Sequence, residues 1–172
     1  MSTLKAILVE DEINNANLLK HFLTKYCPEI ELLDSCQNKE QAIASIKKRK
    51  PQLLFLDIIL ENETAFDLLE EIDFSNIHII FITAFDEYAI KAFSYNATDY
   101  LLKPIQIEEL IAAVQRVLIR EKNNDFLNKS QMYNLSDSFH SQCQKFVTIS
   151  NIDKVNFVKN EEIIYCQSSG RY

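Results

Sequence analysis

Glycine is almost missing from this sequence, since its 172 residues contain only one, Gly170. Tight turns before that position must therefore be built from asparagine, aspartate, serine or proline. The four cysteines, at positions 27, 36, 143 and 166, form no CxxC pair and have no Cys/His spacing typical of a metal site. We expect them to be reduced thiols of a cytoplasmic protein.

Long apolar runs and a basic surface are also missing. No run approaches the roughly 18 apolar residues of a membrane span, and the start MSTLKAILVEDE has no signal-peptide pattern. Residues 1–122 carry 13 basic and 20 acidic side chains, whereas residues 123–172 carry five of each. The first part therefore lacks the positive charge by which proteins bind nucleic acid, and we expect no membrane partner.

Short apolar runs alternate with helical patterns along residues 1–122. The first helix is predicted to bury one face, formed by Ile13, Ala16, Leu19, Leu23 and Tyr26. The five predicted strands are KAILVE, IELLDSC, QLLFLD, IHIIFIT and TDYLLK. The pattern predicts an α/β fold: a five-stranded parallel sheet with helices on both faces.

Polar side chains stand where these predicted strands end. Glu10 and Asp11 follow the first strand, Asp57 follows the third, Thr83 ends the fourth and Lys103 follows the fifth. The carboxyl ends of parallel strands lie at one edge of the sheet, where ligands bind in such folds. We therefore expect three carboxylates, a hydroxyl and an amine to converge.

This set of side chains favours phosphoryl chemistry. Three carboxylates repel one another unless a cation is present, and oxygen ligands suit Mg²⁺. An ionised aspartate can attack phosphorus, and Lys103 and Thr83 could stabilise the transferred group. Each residue also has an ordinary explanation as a helix cap or a solvated loop charge, but that explanation must then hold independently at all five positions.

The segments ILVEDE, LLFLDIIL, FITAFDEYAIKAF and ATDYLLKP resemble, in order and spacing, the signature segments of the receiver domain of two-component response regulators. The resemblance covers about residues 3–122, predicts a receiver domain at residues 1–122 and implies a flavodoxin-like fold. It also implies that Asp57 accepts a phosphoryl group from a sensor histidine kinase. The family pattern departs at Ala65 and Asn96, where glycine is usual, which leaves the course of those two loops open.

The same resemblance implies roles for the residues at the strand ends. Asp11, Asp57 and the backbone carbonyl of Ile59 would bind Mg²⁺, with Glu10 acting through water. The phosphoryl oxygens would be held by Thr83, Lys103 and the backbone N–H of Ala84, and Tyr100 would act with Thr83 as the switch.

The remaining sequence predicts a linker at residues 123–144 and then a short β segment. FVTIS and KVNFV, separated by NID, predict a β-hairpin. Residues 145–172 resemble the opening of a LytTR-type DNA-binding domain, whose pattern is matched by Ile163, Tyr165 and Tyr172. The residues that would contact DNA are unknown, because the resemblance covers only the beginning of that domain.

These observations predict a transcription regulator controlled by phosphorylation, and not an enzyme beyond its own phosphorylation and slow dephosphorylation. A Mg²⁺-dependent aspartate-nucleophile phosphatase would use the same groups, but such enzymes carry a second aspartate where this sequence has Ile59. The chain could also be a stand-alone phosphorelay receiver without DNA binding, or a degenerate receiver that is never phosphorylated.

The resemblance also implies a homodimer through the fourth helix, fifth strand and fifth helix. Four apolar residues and three charged residues are expected on that face: Phe93, Tyr95, Tyr100 and Ile119, with Lys91, Asp99 and Arg116 at the rim. The alternative for the aromatic residues is a place in the core.

Overall fold

The structure, a computed structural model, describes residues 3–61, 63–123, 146–151 and 154–159. The chain divides into two compact units, Met1–Leu127 and Asn128–Tyr172. The predicted domain boundaries at residues 122 and 144 stay predictions. No helix in the described ranges is long and apolar enough to cross a membrane.

The first unit alternates strands and helices, as the sequence pattern predicts. Its elements are β1 (Leu4–Val9), α1 (Ile13–Tyr26), β2 (Ile30–Cys36), α2 (Lys39–Arg49), β3 (Leu53–Leu56), β4 (Ile59–Leu60), β5 (Glu63–Thr64), α3 (Ala65–Glu70), β6 (His78–Thr83), α4 (Ala89–Ser94), β7 (Asp99–Leu102) and α5 (Ile107–Asn123). Five of the strands form one parallel sheet in the order β2-β1-β3-β6-β7. The predicted α/β fold is confirmed.

The central strands are apolar throughout because helices cover both faces of the sheet. Phe55 of β3 belongs to the cluster that α1 and α5 cover, together with Leu19 and Val114. On the other face, the ring of Phe66 in α3 packs 5.5 Å from the ring of Phe81 in β6. Truncating a fully buried phenylalanine such as Phe55 to alanine typically costs about 3–5 kcal/mol.

Two details of the predicted helices are wrong. Ile13 is not part of the buried face of α1, since it is 61% exposed; it begins the helix at the edge of the sheet rather than over it. The fourth helix begins only at Ala89, although the pattern extends it back to Ala84. There the Ala89 N–H bonds to the Asp86 carbonyl, while the Phe85 carbonyl accepts the Tyr100 hydroxyl instead of a helical N–H.

The β4–β5 hairpin between Asp57 and α3 was not predicted. Ile59 pairs with Thr64 and Leu60 with Glu63 in antiparallel register. Its turn contains Glu61 at φ 52°, a left-handed conformation that usually favours glycine. The segment after Asp57, whose course could not be predicted because Ala65 replaces the usual glycine, is therefore a short hairpin.

The second unit is described over one hairpin only. Strands β8 (Phe146–Asn151) and β9 (Lys154–Lys159) pair antiparallel, with Phe146 opposite Lys159. This confirms the hairpin that the sequence predicts there.

A buried histidine lies at the amino end of β6, away from the candidate site. The Nε2 atom of His78 lies 3.3 Å from Oε2 of Glu121 on α5, and its Nδ1 atom lies 3.4 Å from Oγ1 of Thr98. Burial lowers the pKa of His78, and Arg120 adds to this, against the opposing effect of the Glu121 carboxylate. Burial of His78 thus opposes the protonated form of its imidazole in the folded state.

This histidine gives stability a dependence on pH. Because its pKa is below 6.5 in the folded state, the unfolded chain binds the proton first, and stability falls as pH falls through 6.5. The slope for one proton is at most about 1.4 kcal/mol per pH unit. Urea unfolding at several pH values should show a smaller slope in His78→Gln than in the native chain. His21→Gln, which removes an exposed histidine, is the control; equal slopes in all three would contradict the prediction.

Candidate functional site

The predicted site residues meet at the carboxyl edge of the parallel sheet. Because β1 and β3 are neighbours, Glu10 and Asp11 emerge beside Asp57. The backbone fixes this placement: the Asp57 N–H donates to the Val9 carbonyl at 2.9 Å, and the Glu10 N–H donates to the Cys36 carbonyl at 2.9 Å. Three acidic side chains from two strands are thereby held in one place.

The three carboxylates are close enough to share one ligand. Oxygen atoms of Glu10, Asp11 and Asp57 all lie within 4.8 Å of one another. Glu10 and Asp57 are buried, and Asp11 is half-buried. Burial raises the pKa of Glu10, and the nearby Asp57 charge adds to this, although Lys103 opposes both. Gathering these groups therefore has an electrostatic cost that a cation would offset.

Lys103, which directly follows β7, contacts this acidic group. Its Nζ atom lies 2.5 Å from Oδ2 of Asp57 and 2.9 Å from Glu10. Burial lowers the pKa of Lys103, but the hydrogen bonds and ion pairs with the two carboxylates outweigh burial, so the pKa is raised. Lys103 is thus a fixed positive charge, and three carboxylates against one ammonium leave two negative charges.

Two buried oxygen atoms in this group have no hydrogen-bond partner: Oδ1 of Asp57 and Oγ1 of Thr83. Leaving such an atom unsatisfied typically costs about 1–3 kcal/mol. Thr83 ends β6, the strand beside β3, so both atoms belong to the same edge. Unsatisfied oxygens, carboxylate ligands and two excess negative charges fit a hard divalent cation such as Mg²⁺ with a phosphoryl group beside it.

The backbone groups proposed from the resemblance follow the same strands. Ile59 lies in β4, two residues beyond Asp57, and is half-buried. Ala84 directly follows Thr83 and is exposed. The turn after Ile59 is tied to the acidic group, because the Glu61 N–H donates to Oδ2 of Asp11 at 3.3 Å.

Tyr100, the predicted switch residue, points inward. It is buried, its ring centroid lies 6.2 Å from that of Phe81, and its hydroxyl donates to the Phe85 carbonyl. Phe85 follows Thr83 by two residues, so Tyr100 contacts the segment that leaves the site.

Several residues expected on a dimer face lie within the fold instead. Tyr100 and Asp99 are buried, and Asp99 pairs with Arg116, whose Nε donates to Oδ2 at 2.6 Å. Burial raises the pKa of Asp99 against the effect of Arg116. Tyr95 packs 5.1 Å from the ring of Phe66. Of the four apolar residues expected on that face, Ile119, at 57% exposed, is the clearest surface residue.

One residue near the acidic group was missed by the sequence pattern. The Nδ2 atom of Asn15 on α1 donates to Oε1 of Glu10 at 3.4 Å and to Oε2 of Glu12 at 3.0 Å. The sequence could have indicated Asn15 only by its position, in the first turn of the helix that follows Glu10 and Asp11.

Comparison with known families gives one match to most of the chain. Residues 6–115 match the family model described as response regulator receiver domain. This range contains every residue of the site described above.

Relatives named as response regulatory or transcriptional regulatory proteins align with this chain over different lengths. An uncharacterized response regulatory protein of Shewanella oneidensis is 39% identical over 112 residues, covering 64% of this chain and 47% of that protein. The transcriptional regulatory protein BtsR of Escherichia coli K12 is 30% identical over 174 residues, covering 98% of this chain and 68% of BtsR. The chain spans about half the length of the Shewanella protein and of a similar one from Vibrio cholerae.

Solved structures give the same result for the first unit. The response regulatory domain of protein mrkE from Klebsiella pneumoniae is 28% identical, with a TM-score of 0.64 over 70% of this chain and 99% of that chain. A two-component response regulator from Clostridium difficile is 30% identical, with a TM-score of 0.61 over 69% of this chain and 98% of that chain. With the five-stranded parallel sheet and the acidic edge in place, the chain belongs to the family of response regulator receiver domains.

Proposed function

We propose that this protein is a two-component transcription regulator in which Asp57 accepts a phosphoryl group from a sensor histidine kinase. The observation that carries the proposal is the buried Oδ1 atom of Asp57, which has no partner although it lies among charged groups. An aspartate kept only for stability would be expected to satisfy both oxygens.

Mg²⁺ is the proposed cofactor. Asp11, Asp57 and the Ile59 carbonyl would bind it directly, and Glu10 would act through a water molecule, because their oxygens suit a hard cation. When bound, the ion supplies positive charge that offsets repulsion between the carboxylates and the incoming phosphoryl oxygens.

The chain's own residues then have separate tasks. The Asp57 carboxylate forms the new bond to phosphorus, while the bond from phosphorus to the donor's nitrogen breaks and that nitrogen keeps the electron pair. Lys103, already 2.5 Å from Asp57, stabilises the charge on the phosphoryl oxygens. The Thr83 hydroxyl and the Ala84 N–H would donate to those oxygens, which would satisfy the Thr83 oxygen that has no partner.

A small-molecule phosphodonor tests this proposal directly. Incubation of the chain with the donor and Mg²⁺ should add one phosphoryl group by intact mass, and chelation of the metal should prevent the gain. No gain in the presence of Mg²⁺ would overturn the proposal.

We do not expect turnover of an external phosphate ester. An aspartate-nucleophile phosphatase needs a general acid two residues after the nucleophile, where Ile59 offers no proton. Catalysis is therefore proposed to be limited to the phosphorylation and slow dephosphorylation of Asp57 itself. Release of phosphate from a general ester substrate would contradict this.

Thr83→Ala should separate chemistry from switching. Asp57 does the chemistry, whereas the Thr83 hydroxyl makes a contact that differs between the two states. The variant should still gain a phosphoryl group but lose most of the change in amide exchange on α4 that the native protein shows. Thr98→Ala, which removes a buried hydroxyl at the other end of the sheet, is the control. A native-like response in Thr83→Ala would rule out this role.

The output is proposed to be DNA binding through a LytTR-type domain that begins in the second unit. The β8–β9 hairpin supports this, as does the match of 98% of the chain to a relative named transcriptional regulatory protein. The test is DNA binding by a protein that continues beyond Tyr172, compared before and after phosphorylation. Absence of DNA binding in both states would favour a stand-alone receiver.

Phosphorylation is also proposed to favour a homodimer through α4, β7 and α5. Ile119 offers exposed apolar surface on α5, and Lys91 on α4 is also exposed. Sedimentation velocity with and without beryllofluoride, a phosphoryl mimic, tests this; a monomer in both states at high concentration would refute it.

A further inference from the structure

The β4–β5 hairpin is too short to hold its position without contacts to other elements of the fold. It carries Ile59, whose carbonyl is a proposed metal ligand, yet it contains only two residue pairs. Its turn has Glu61 at φ 52°, a conformation disfavoured for any residue with a Cβ atom. So short a hairpin is not stable by itself in water.

One end of the hairpin is fastened to α3. The N–H and hydroxyl of Thr64 both donate to Oδ2 of Asp67 at 2.7 Å, and the Asp67 N–H donates to Thr64 in return at 3.3 Å. The Ala65 N–H donates to the Ile58 carbonyl at 2.8 Å. These bonds fix where the hairpin ends, and the Glu61 N–H bond to Asp11 ties its turn to the acidic group, but none of them connects the hairpin to α2.

Lys39 makes that connection. It is the first residue of α2, and its side chain is only 15% exposed. Its Nζ atom contacts Oε1 of Glu63 in β5 and lies 2.9 Å from Oε1 of Glu71, which directly follows α3. One ammonium group therefore joins α2, the hairpin and the end of α3.

The position of this lysine argues for a role outside its own helix. The amino terminus of a helix carries partial positive charge, so a lysine there is unfavourable. The helix start does not depend on it, because Asn38 caps the helix by accepting the Gln41 N–H at 3.0 Å. The favourable interactions of Lys39 are its ion pairs with Glu63 and Glu71.

We propose that Lys39 is a positioning residue of the phosphoacceptor site. Its two ion pairs hold the hairpin in the place where the Ile59 carbonyl can complete the metal ligands supplied by Asp11 and Asp57. The inference rests on the proposed function, but Lys39 itself touches neither the acidic group nor Thr83 in any contact of the described structure.

The direction of the effect on Mg²⁺ affinity separates this role from simple electrostatics. Removing a positive charge from the protein makes the site more negative, which by itself would tighten Mg²⁺ binding. Loss of positioning weakens it. Lys39→Gln should raise the dissociation constant of Mg²⁺, measured by titration calorimetry, by about threefold, within the range expected for partly exposed ion pairs.

The controls use the same helix and the same ion pairs. Lys47→Gln removes an exposed positive charge from α2 and should leave the affinity unchanged or slightly tighter. Lys39→Arg should bind Mg²⁺ like the native chain, because a guanidinium can bridge both carboxylates. Glu63→Gln should weaken binding more than Glu61→Gln, which removes an equal charge from the same hairpin, at the turn that bonds to Asp11, without breaking an ion pair of Lys39. This comparison keeps the proposal testable if the lysine variant folds poorly.

The outcomes distinguish this proposal from the proposed function. A native chain that binds no Mg²⁺ would overturn the function itself. A native chain that binds Mg²⁺ would overturn the positioning role alone if Lys39→Gln binds equally or more tightly and Glu63→Gln binds no more weakly than Glu61→Gln. Weaker binding in Lys39→Gln than in the native chain and in Glu63→Gln than in Glu61→Gln, with native-like Lys39→Arg, would support it.

Discussion

Asp57→Asn is expected to abolish the gain of a phosphoryl group completely. The amide that replaces the carboxylate is a far weaker nucleophile toward phosphorus and also loses one of the proposed metal ligands. The fold should persist, because asparagine has nearly the same shape and the Asp57 backbone N–H still donates to Val9. The readout is intact mass after incubation with a small-molecule phosphodonor and Mg²⁺.

Asp34→Asn is the matched control for this experiment. Asp34 is an aspartate in β2, which is separated from β3 by β1, and its pKa is lowered mainly by a hydrogen bond from Ser45. It lies outside the acidic group, so the variant should be phosphorylated like the native chain. Phosphorylation that persists in Asp57→Asn would place the phosphoacceptor elsewhere and remove the proposed function.

The second large effect concerns how long the phosphoryl group stays on Asp57. Hydrolysis needs a water molecule in line with the leaving carboxylate, and a polar side chain best orients it. The positions two residues after Asp57 and two after Thr83 are held by Ile59 and Phe85, neither of which can hydrogen-bond a water through its side chain. The native protein should therefore lose its phosphoryl group slowly.

Ile59→Asn and Phe85→Glu should each speed this loss by about tenfold, below the roughly 10²–10⁴-fold that an optimally placed general base supplies. Phe85 is 41% exposed and Ile59 is half-buried, so both positions accept a polar side chain without opening the core. The measurement is the decay of phosphorylated protein by intact mass after removal of the donor. Ile90→Asn, at an exposed apolar position in α4, is the control.

Decay no faster than native in both variants would show that these side chains do not gate the water. Backbone geometry around Asp57 would then set the lifetime. Because Ile59 pairs with Thr64 in the β4–β5 hairpin, faster decay should also be checked against Mg²⁺ affinity, so that a displaced hairpin is not mistaken for an oriented water.

The sequence by itself determined the parallel sheet and the residues at its functional edge. Runs such as LLFL and IIFI are apolar without alternation, which happens only where helices cover both faces of a strand. The first polar residues after such runs must lie at the carboxyl edge, so the amino-acid order alone places Asp57 and Thr83 there. The apolar runs and the polar residues that follow them can be identified from consecutive residues alone. The crossovers between parallel strands are almost always right-handed, so they add little further choice.

Only the tertiary structure decided which of these residues touch. Lys103 follows β7, two strands from β3, yet its side chain lies 2.5 Å from Asp57. The burial of Tyr100 and Asp99, and the bridge from Lys39 to the β4–β5 hairpin, depend in the same way on residues far apart in the chain. The periodicity of apolar residues predicts which face of a helix or strand is buried. It does not predict the order of the strands in the sheet or which distant residue a long side chain contacts. Those are fixed when the strands pair and the helices pack.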